Sequence, residues 1–365
     1  MNRANGKHRG IAMMLVLTVV VAASIMSMSY LSITSVKLAS STNLVCAAEA
    51  TYLAESGLQH AMWMLRTESS ALLGATSAYP LGPFQLDSDG GQYVMYAQPT
   101  GTPLQYTITA RGTSRGVTRT SQAVARIYSQ YNDKVMALGP IHLWRLGELS
   151  GDTATDVAGS QNGKYKNNPL LGQPGAICGD TDKAVHFDGM NDYVDLDEMD
   201  LSGNKMTILC WFKADAFNID VLRFISKANG IQAADHYWML GTVRYGGDLV
   251  LRMRLRTSAA TSTLNATTGK LEIGVWTMAS TTYDGLWTKL YKNSQLVGTG
   301  LNLGDIAQNN LVPAWIGGNP DGESSRPFLG TIDEMAIFDK ALTASQIDSL
   351  YKARQSVVAL VKWEK

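Results

Sequence analysis

The chain reads as an α+β protein: a long N-terminal helix with a small antiparallel sheet, followed by an all-β jelly-roll sandwich. Three observations predict this. Residues 11–36 contain no charged side chain and are mostly apolar. Helix-compatible sequence then continues through Lys37, with no Gly between Gly10 and Gly57 and no Pro before Pro80. From Tyr79 onward, short alternating runs broken by Gly, Asn, Asp and Pro replace the helical pattern, as strands and turns require.

The N-terminus carries Arg3, Lys7 and Arg9 with no acidic residue, so segment 1–10 is expected to stay cytoplasmic by the positive-inside rule. As a helix the 11–36 run would be roughly 39 Å long at about 1.5 Å per residue, enough to cross a bilayer. It is too long for the hydrophobic region of a secretory signal, and no good Ala-x-Ala cleavage site follows it. One helix over 11–73 is therefore expected, half membrane span and half soluble stalk. Thr18, Ala22, Ser24, Ser27 and Ser32 suit close helix packing, because small residues admit a neighbouring backbone and hydroxyls bond to carbonyls.

The junction Arg9-Gly10-Ile11-Ala12-Met13-Met14-Leu15 resembles the leader junction of type IV pilins and type II secretion pseudopilins. The resemblance implies cleavage by a membrane prepilin peptidase between Gly10 and Ile11, and methylation of the new N-terminus. Ala54-Glu55-Ser56-Gly57-Leu58 is similar to the Ala-Glu-x-Gly segment of the minor-pilin subgroup, which also draws attention to Glu49 and Glu55 as assembly residues. Major pilins place a Glu at the fifth mature position, where it pairs with a neighbour's N-terminal amine. Here that position is Leu15. The departure is like that of minor subunits that begin or cap a filament. The implied partners are sister pilin or pseudopilin subunits. The implied location is the inner membrane before assembly and an extracellular or periplasmic filament afterwards. A plain signal-anchor helix without a filament is the alternative.

Segment 74–132 is expected to be a three-stranded meander. Tyr93 to Ala97 follows Gly90-Gly91, Gln105 to Ala110 follows Gly101-Thr102-Pro103, and Val117 to Ile127 follows Gly116. So small a sheet needs a second layer; Met62, Leu65, Leu72 and Leu73 on the helix are its expected partners. Arg111, Arg115, Arg119 and Arg126 read as a solvated face.

With 365 residues, 45% hydrophobic content and a formal net charge of zero, the chain is long enough for two or three folded units. The charge balance argues against a nucleic-acid surface, which needs clustered bases. Of the three cysteines, Cys46 is expected to be a small buried residue on the stalk, while pairing of Cys178 with Cys210 stays open.

Segment 134–355 carries strand-like runs between turns, the pattern of a sandwich or jelly roll. Its sequence resembles laminin-G-like, concanavalin A-type jelly-roll domains in Leu143-Trp144-Arg145-Leu146-Gly147-Glu148, Val185-His186-Phe187-Asp188-Gly189, Thr207-Ile208-Leu209-Cys210-Trp211-Phe212 and Thr331-Ile332-Asp333-Glu334-Met335-Ala336. Trp144, Phe187, Trp211, Phe212, Trp276, Ile332 and Ile337 are expected in its core. Thr343-Ala344-Ser345-Gln346 is a capping box that opens a closing helix, with Ile347, Leu350 and Tyr351 on its buried face. Residues 131–138 read as a short restraining linker, and 356–365 as a tail of no assigned role.

The same fold carries glucan hydrolases, so paired carboxylates must be sought. In the acidic run 195–200, Glu198 and Asp200 alternate, but position 202 is Ser and a turn follows, so no retaining pair is expected and the module is read as non-catalytic. The resemblance implies binding of a glycan or protein, with Ca²⁺ as a possible cofactor. Glu148, Asp156 and Asp333 are the candidate Ca²⁺ ligands, since first and last strands are neighbours in such sandwiches and Ca²⁺ takes hard oxygen donors. Trp287, at a hairpin tip, and Tyr237 with Trp238 are the candidate ligand-stacking aromatics, weighed against core packing.

Overall fold

The computed structural model describes residues 6–67, 69–86, 90–217, 219–320 and 326–364. The chain divides into two compact units, one built from residues 1–126 and 358–365, the other from 127–357.

The first unit begins with α1 (Gly6–Thr67) and the short α2 (Ser69–Leu73). The helix is long and apolar enough over its N-terminal part to cross a membrane. Its character changes along its length. From Met13 to Val45 the large side chains are exposed, and Thr18, Ser24, Ser27 and Thr34 return their hydroxyls to carbonyls one turn back. From Cys46 onward, Ala50, Leu53, Ala54, Leu58, Ala61 and Leu65 are buried at i, i+3 and i+4 spacing, an apolar stripe facing a sheet. Leu72 is also buried, while Met62 and Leu73 are half-buried. Residues 1–5 of the expected leader 1–10, and the side chains of Gly10 and Ile11, lie outside the described residues.

That sheet contains β1 (Leu81–Gln85), β2 (Gln92–Pro99), β3 (Gln105–Ser114) and β4 (Val117–Tyr128). The helix meets it through small residues on both sides. A Cβ on Gly57 would lie 2.7 Å from the Tyr93 ring and 3.1 Å from Ala110 Cβ. The Ala54-to-Leu58 segment is thus a close-packing motif, with Ala54 and Leu58 buried and Gly57 admitting Tyr93. Arg111, Arg115, Arg119 and Arg126 are exposed, as a solvated face requires.

The second unit opens with α3 (Tyr131–Ala137), followed by β5 (His142–Trp144), β6 (Thr153–Ala154), β7 (Gly163–Lys166), β8 (Leu170–Pro174), β9 (Lys183–Asp188) and β10 (Tyr193–Glu198). Then come β11 (Met206–Ala214), β12 (Arg223–Ala228), β13 (His236–Tyr245), β14 (Asp248–Arg256) and β15 (Thr261–Asn265). The last strands are β16 (Thr277–Tyr283), β17 (Trp287–Lys292), β18 (Gln295–Leu301), β19 (Pro313–Ile316) and β20 (Leu329–Phe338), closed by α4 (Ala344–Lys352). They form two sheets. The front sheet runs β15-β14-β13-β12-β19-β10-β7-β6 and the back sheet β18-β17-β16-β11-β20-β9-β8, with β5 on β20. This is the jelly-roll sandwich the sequence predicts.

Two apolar layers flank the back sheet. Phe187, Ile208, Phe212, Ile332 and Ile337 face the front sheet, while Leu209, Trp211, Met278 and Phe338 pack with Tyr131 and Val135 of α3 and Ile347 and Leu350 of α4. The segment Met206–Phe212 is therefore buried at every residue, since a strand covered on both faces has no polar side. Three expectations change here. Trp211 belongs to the outer, helix-covered layer rather than the sandwich interior. Trp276 is only half-buried, its ring 5.4 Å from the Lys213 ammonium. Residues 131–137 are a helix of the jelly roll, not a linker. The capping box is present, with the Gln346 backbone N–H donating to Thr343 Oγ1.

Beyond α4 the chain returns to the first unit. β21 (Val357–Glu364) adds to β4, giving a five-stranded sheet ordered β1-β2-β3-β4-β21 in place of the expected three strands. The jelly roll is thus inserted between two adjacent strands of the first unit's sheet. Cys178 and Cys210 are free thiols, and Cys210 lies in the sandwich core, so the open disulfide question resolves as unpaired. Cys46 is buried on α1 as expected.

Candidate functional site

The outer face of the front sheet gathers the polar and aromatic groups able to hold a ligand. Its composition follows from strand alternation. Leu251, Met253 and Leu255 of β14 point into the core, which turns Arg252, Arg254 and Arg256 outward. Val194 of β10 pairs with Ile316 of β19, both in the core, which turns the next pair, Asp195 and Trp315, outward. A cross-sheet row therefore runs from Thr263 through Arg254, Met239, Ser226 and Trp315 to Asp195. Lys164 pairs beside Asp195, and Lys166 beside Tyr193.

The two ends of this row are accessible. Its middle is covered, because Met239 and Ser226 are buried and the Ser226 hydroxyl donates to Asn319 Oδ1 at 2.9 Å. At one end Tyr193 and Trp315 stack with ring centroids 3.7 Å apart and planes 17° from parallel. Both rings are half-buried, so the stack keeps part of its apolar surface accessible among Lys164, Lys166 and Asp195. At the other end Arg252, Arg254 and Arg256 stand opposite Asn265, Thr263 and Thr261 of β15. His236, nearby, is held neutral; burial and then the Arg223 guanidinium lower its pKa to about 4.

The aromatics expected from the sequence fall elsewhere. Trp238 is 0% exposed and inside the sandwich, so it cannot stack on a ligand. Tyr237 is almost buried, its hydroxyl accepting from Asn309 Nδ2 at 2.9 Å and its ring lying 5.1 Å beneath the Arg256 guanidinium. Trp287 is 40% exposed at the start of β17 on the back sheet, opposite Leu301. Trp315 and Tyr193 were missed as a pair because they sit on strands distant in sequence. The available signal was the apolar–aromatic–apolar order Ala314-Trp315-Ile316, which places the ring on the face opposite its neighbours.

The three carboxylates offered for Ca²⁺ are spent separately. Asp156 accepts from the backbone N–H groups of Leu143, Gly159 and Gln161 at 2.9–3.0 Å and pairs with His142 at 2.8 Å. Burial alone would raise its pKa, but these bonds bring it down to about 2. Glu148 accepts from the Thr155 N–H and the Tyr165 hydroxyl. Asp333 accepts from the Ala176 N–H at 2.7 Å. Beside it, Arg145 supplies the positive charge a cation would bring, contacting Glu334 at 2.6 Å, Asp180 at 2.8 Å and Asp182 at 3.0 Å. β5 and β20 are neighbours as expected, yet among the described residues no group of three or more His, Cys, Asp or Glu side chains is placed to hold a metal.

The acidic run also resolves into single roles. Asp200 bonds the Asn309 N–H and pairs with the buried Lys227 at 3.2 Å, while Glu198 is exposed at the end of β10. In the first unit, Leu15 is 62% exposed on α1, Glu49 accepts the Ser114 hydroxyl at 2.6 Å and so ties α1 to β3, and Glu55 is half-buried.

The model of a laminin-G family, described as the concanavalin A-like lectin/glucanases superfamily, matches residues 188–348. No curated protein matches the chain. Among solved structures, domain 4 of an extracellular arabinanase from Geobacillus stearothermophilus, in complex with arabinotriose, is 23% identical, covering 58% of this chain and 98% of that one with a TM-score of 0.43. The α2,3-sialyllactose-bound carbohydrate-binding module of a Ruminococcus gnavus sialidase is 18% identical over 46% of this chain and 96% of that one, with a TM-score of 0.39. A pentraxin of Limulus polyphemus is 18% identical over 46% of this chain and 80% of that one, with a TM-score of 0.36.

Proposed function

We propose that the chain is a minor pilin or pseudopilin of a type IV filament that displays a glycan-binding jelly roll at or near the filament tip. The filament half of this proposal is supported by α1, whose N-terminal part exposes apolar side chains while its C-terminal part packs under a sheet through the Ala54-to-Leu58 segment. The Arg9-Gly10-Ile11 junction and Leu15 at the fifth mature position add to it. Apolar residues exposed over so long a stretch need lipid or sister helices around them.

The binding half is carried by one observation: the Tyr193–Trp315 stack, flanked by charged side chains, on the outward face of a lectin-type sandwich. Sugar rings stack on such flat apolar faces while their hydroxyls bond nearby charged groups. On this reading the module binds a glycan without cleaving it, with Asp200 engaged by Lys227 and Glu198 exposed to solvent.

A glycan array probed with the detergent-solubilised full-length chain tests the binding half. Wild type retains one class of saccharide with or without Ca²⁺. Trp315→Ala weakens that binding about tenfold or more, in the range expected for losing a central aromatic contact. Retention of no saccharide, or equal binding by Trp315→Ala, refutes it. Release of reducing sugar would replace it with a hydrolase.

A further inference from the structure

We propose that the arginine row of β14 (Arg252, Arg254 and Arg256) is an anion site that selects acidic glycans, those bearing carboxylate or sulfate groups. The proposal rests on the glycan-binding reading above and names the ligand class that the same face of the sandwich takes.

Strand geometry aligns the three guanidinium stems. Alternate residues on one face lie roughly 6.7 Å apart, so the row presents three forks at a regular interval. Among the described residues none of the three makes an ion pair with a carboxylate, whereas Arg145 contacts three acids and Arg244 pairs with Asp220 at 2.7 Å. What they do contact is neutral. Arg252 Nε donates to Asn265 Oδ1 at 2.8 Å, Arg254 Nη1 donates to the Ile231 carbonyl at 3.1 Å, and Arg256 lies over the Tyr237 ring. Arg254 Nε is buried with no acceptor.

The three side chains are half-buried. Burial and then the neighbouring Arg254 lower the Arg252 pKa to about 10, and burial followed by Arg326 lowers that of Arg254. Asp235 is the acid that opposes this at Arg254, yet it forms no ion pair with it. Like charges held together, partly desolvated and without counter-ions, cost stability in the free protein. An anion seated on the row relieves that cost, and a guanidinium fork accepts carboxylate or sulfate through two parallel hydrogen bonds.

The setting points to a saccharide rather than a nucleic acid. Opposite the arginines stand Thr261, Thr263 and Asn265, hydroxyl and amide groups that match sugar hydroxyls. The chain as a whole has no net charge, so it lacks the broad positive field that phosphate backbones require.

The test uses full-length chain in detergent and five probes, with buffer alone as the blank: oligogalacturonate, its neutral methyl ester, dextran sulfate, dextran and a single-stranded oligodeoxynucleotide. Arg252→Gln with Arg254→Gln keeps the aliphatic stems, and Arg252→Lys with Arg254→Lys keeps the charge; thermal melting confirms that each variant is folded. The expected result is tighter binding of the carboxylated or the sulfated probe than of its neutral twin, by about tenfold or more. The Gln pair abolishes that preference and flattens its salt dependence, while the Lys pair keeps the salt dependence at reduced affinity. Which acid is preferred separates carboxylate from sulfate recognition. Equal binding of acidic and neutral twins, unaffected by either pair but lowered by Trp315→Ala, overturns the arginine site and leaves glycan binding intact. No binding of any saccharide overturns both. Oligodeoxynucleotide binding as tight as that of either acidic glycan, lost in the Gln pair, overturns the glycan assignment of the row.

Discussion

Gly112 on β3 is where the packing of α1 on its sheet is least forgiving. A Cβ placed there would lie 2.2 Å from the Ala50 carbonyl oxygen, 2.4 Å from the Ala54 nitrogen and 2.6 Å from Leu53 Cβ. Two of these atoms are helix backbone, so no rotamer change relieves the overlap and the helix must lift by about 1 Å. A gap of that size forfeits roughly a quarter to half of each van der Waals well along the seam. Gly112→Ala is therefore expected to cost about 3 kcal/mol, at the upper end for overpacking. In a unit of this size that lowers the melting temperature by about 10 °C. Gly116→Ala is the control, because its Cβ would meet nothing within 4 Å and pays only for a positive φ of 84°, about 1 kcal/mol. Thermal melting of the full-length chain in detergent reads both. If Gly112→Ala melts with or above Gly116→Ala, the seam between helix and sheet is not as close as described.

Three further outcomes are expected. Arg145→Met removes the cation that contacts Asp180, Asp182 and Glu334 beside Asp333, the last two acids only 1% and 2% exposed, and is expected to cost about 3 kcal/mol or more in chemical denaturation. Glu334→Gln is expected to gain stability relative to wild type as pH rises. Burial, opposed by Arg145, raises the Glu334 pKa to about 7, so the native state keeps a proton that the unfolded chain releases near 4.3. The stability linked to that proton is complete below about pH 4 and is lost as pH rises through 7, whereas Gln cannot lose it. His236, with its lowered pKa, acts in the opposite sense in both proteins and cancels in the difference. A flat difference between pH 5 and 8 would remove the proton from Glu334. Asp156→Asn is expected to flatten acid unfolding between about pH 4 and 2, because the low folded-state pKa of Asp156 makes its stabilisation present above the unfolded pKa and lost as pH falls; acid denaturation monitored by fluorescence reports it.

Local pattern carried the elements whose signals are local. The helix 11–73, the three meander strands and the Thr343 capping box rest on spacing within a few residues, and each is found, although α1 already begins at Gly6, the helix end divides into α1 and α2, and β3 runs on from Ala110 to Ser114. β21 and β1 were not legible for a different reason. An edge strand is defined by its partner, and the partner of β21 lies over two hundred residues earlier in the chain. α3 leaves no helical signature in the sequence because two buried residues, Tyr131 and Val135, are too few to mark a period, although they seal the outer layer over Trp211. The site was hardest. Trp238 beside Tyr237 looks like a binding pair in sequence, but the pleat sends Trp238 into the core and a bonded Tyr237 hydroxyl to Asn309. Asp156 and Asp333 lie near one another in topology as foreseen. Backbone N–H groups claim one and a buried acidic cluster around Arg145 holds the other, and neither claim is visible in residue type alone.

The N-terminus of the chain as it occurs in sheared surface filaments tests the central claim most directly. Mass spectrometry of that fraction should find this polypeptide beginning at a methylated Ile11, together with more abundant sister subunits. A chain that still begins at Met1, found in the membrane and absent from filaments, would contradict the account and leave a simple anchored surface protein in its place.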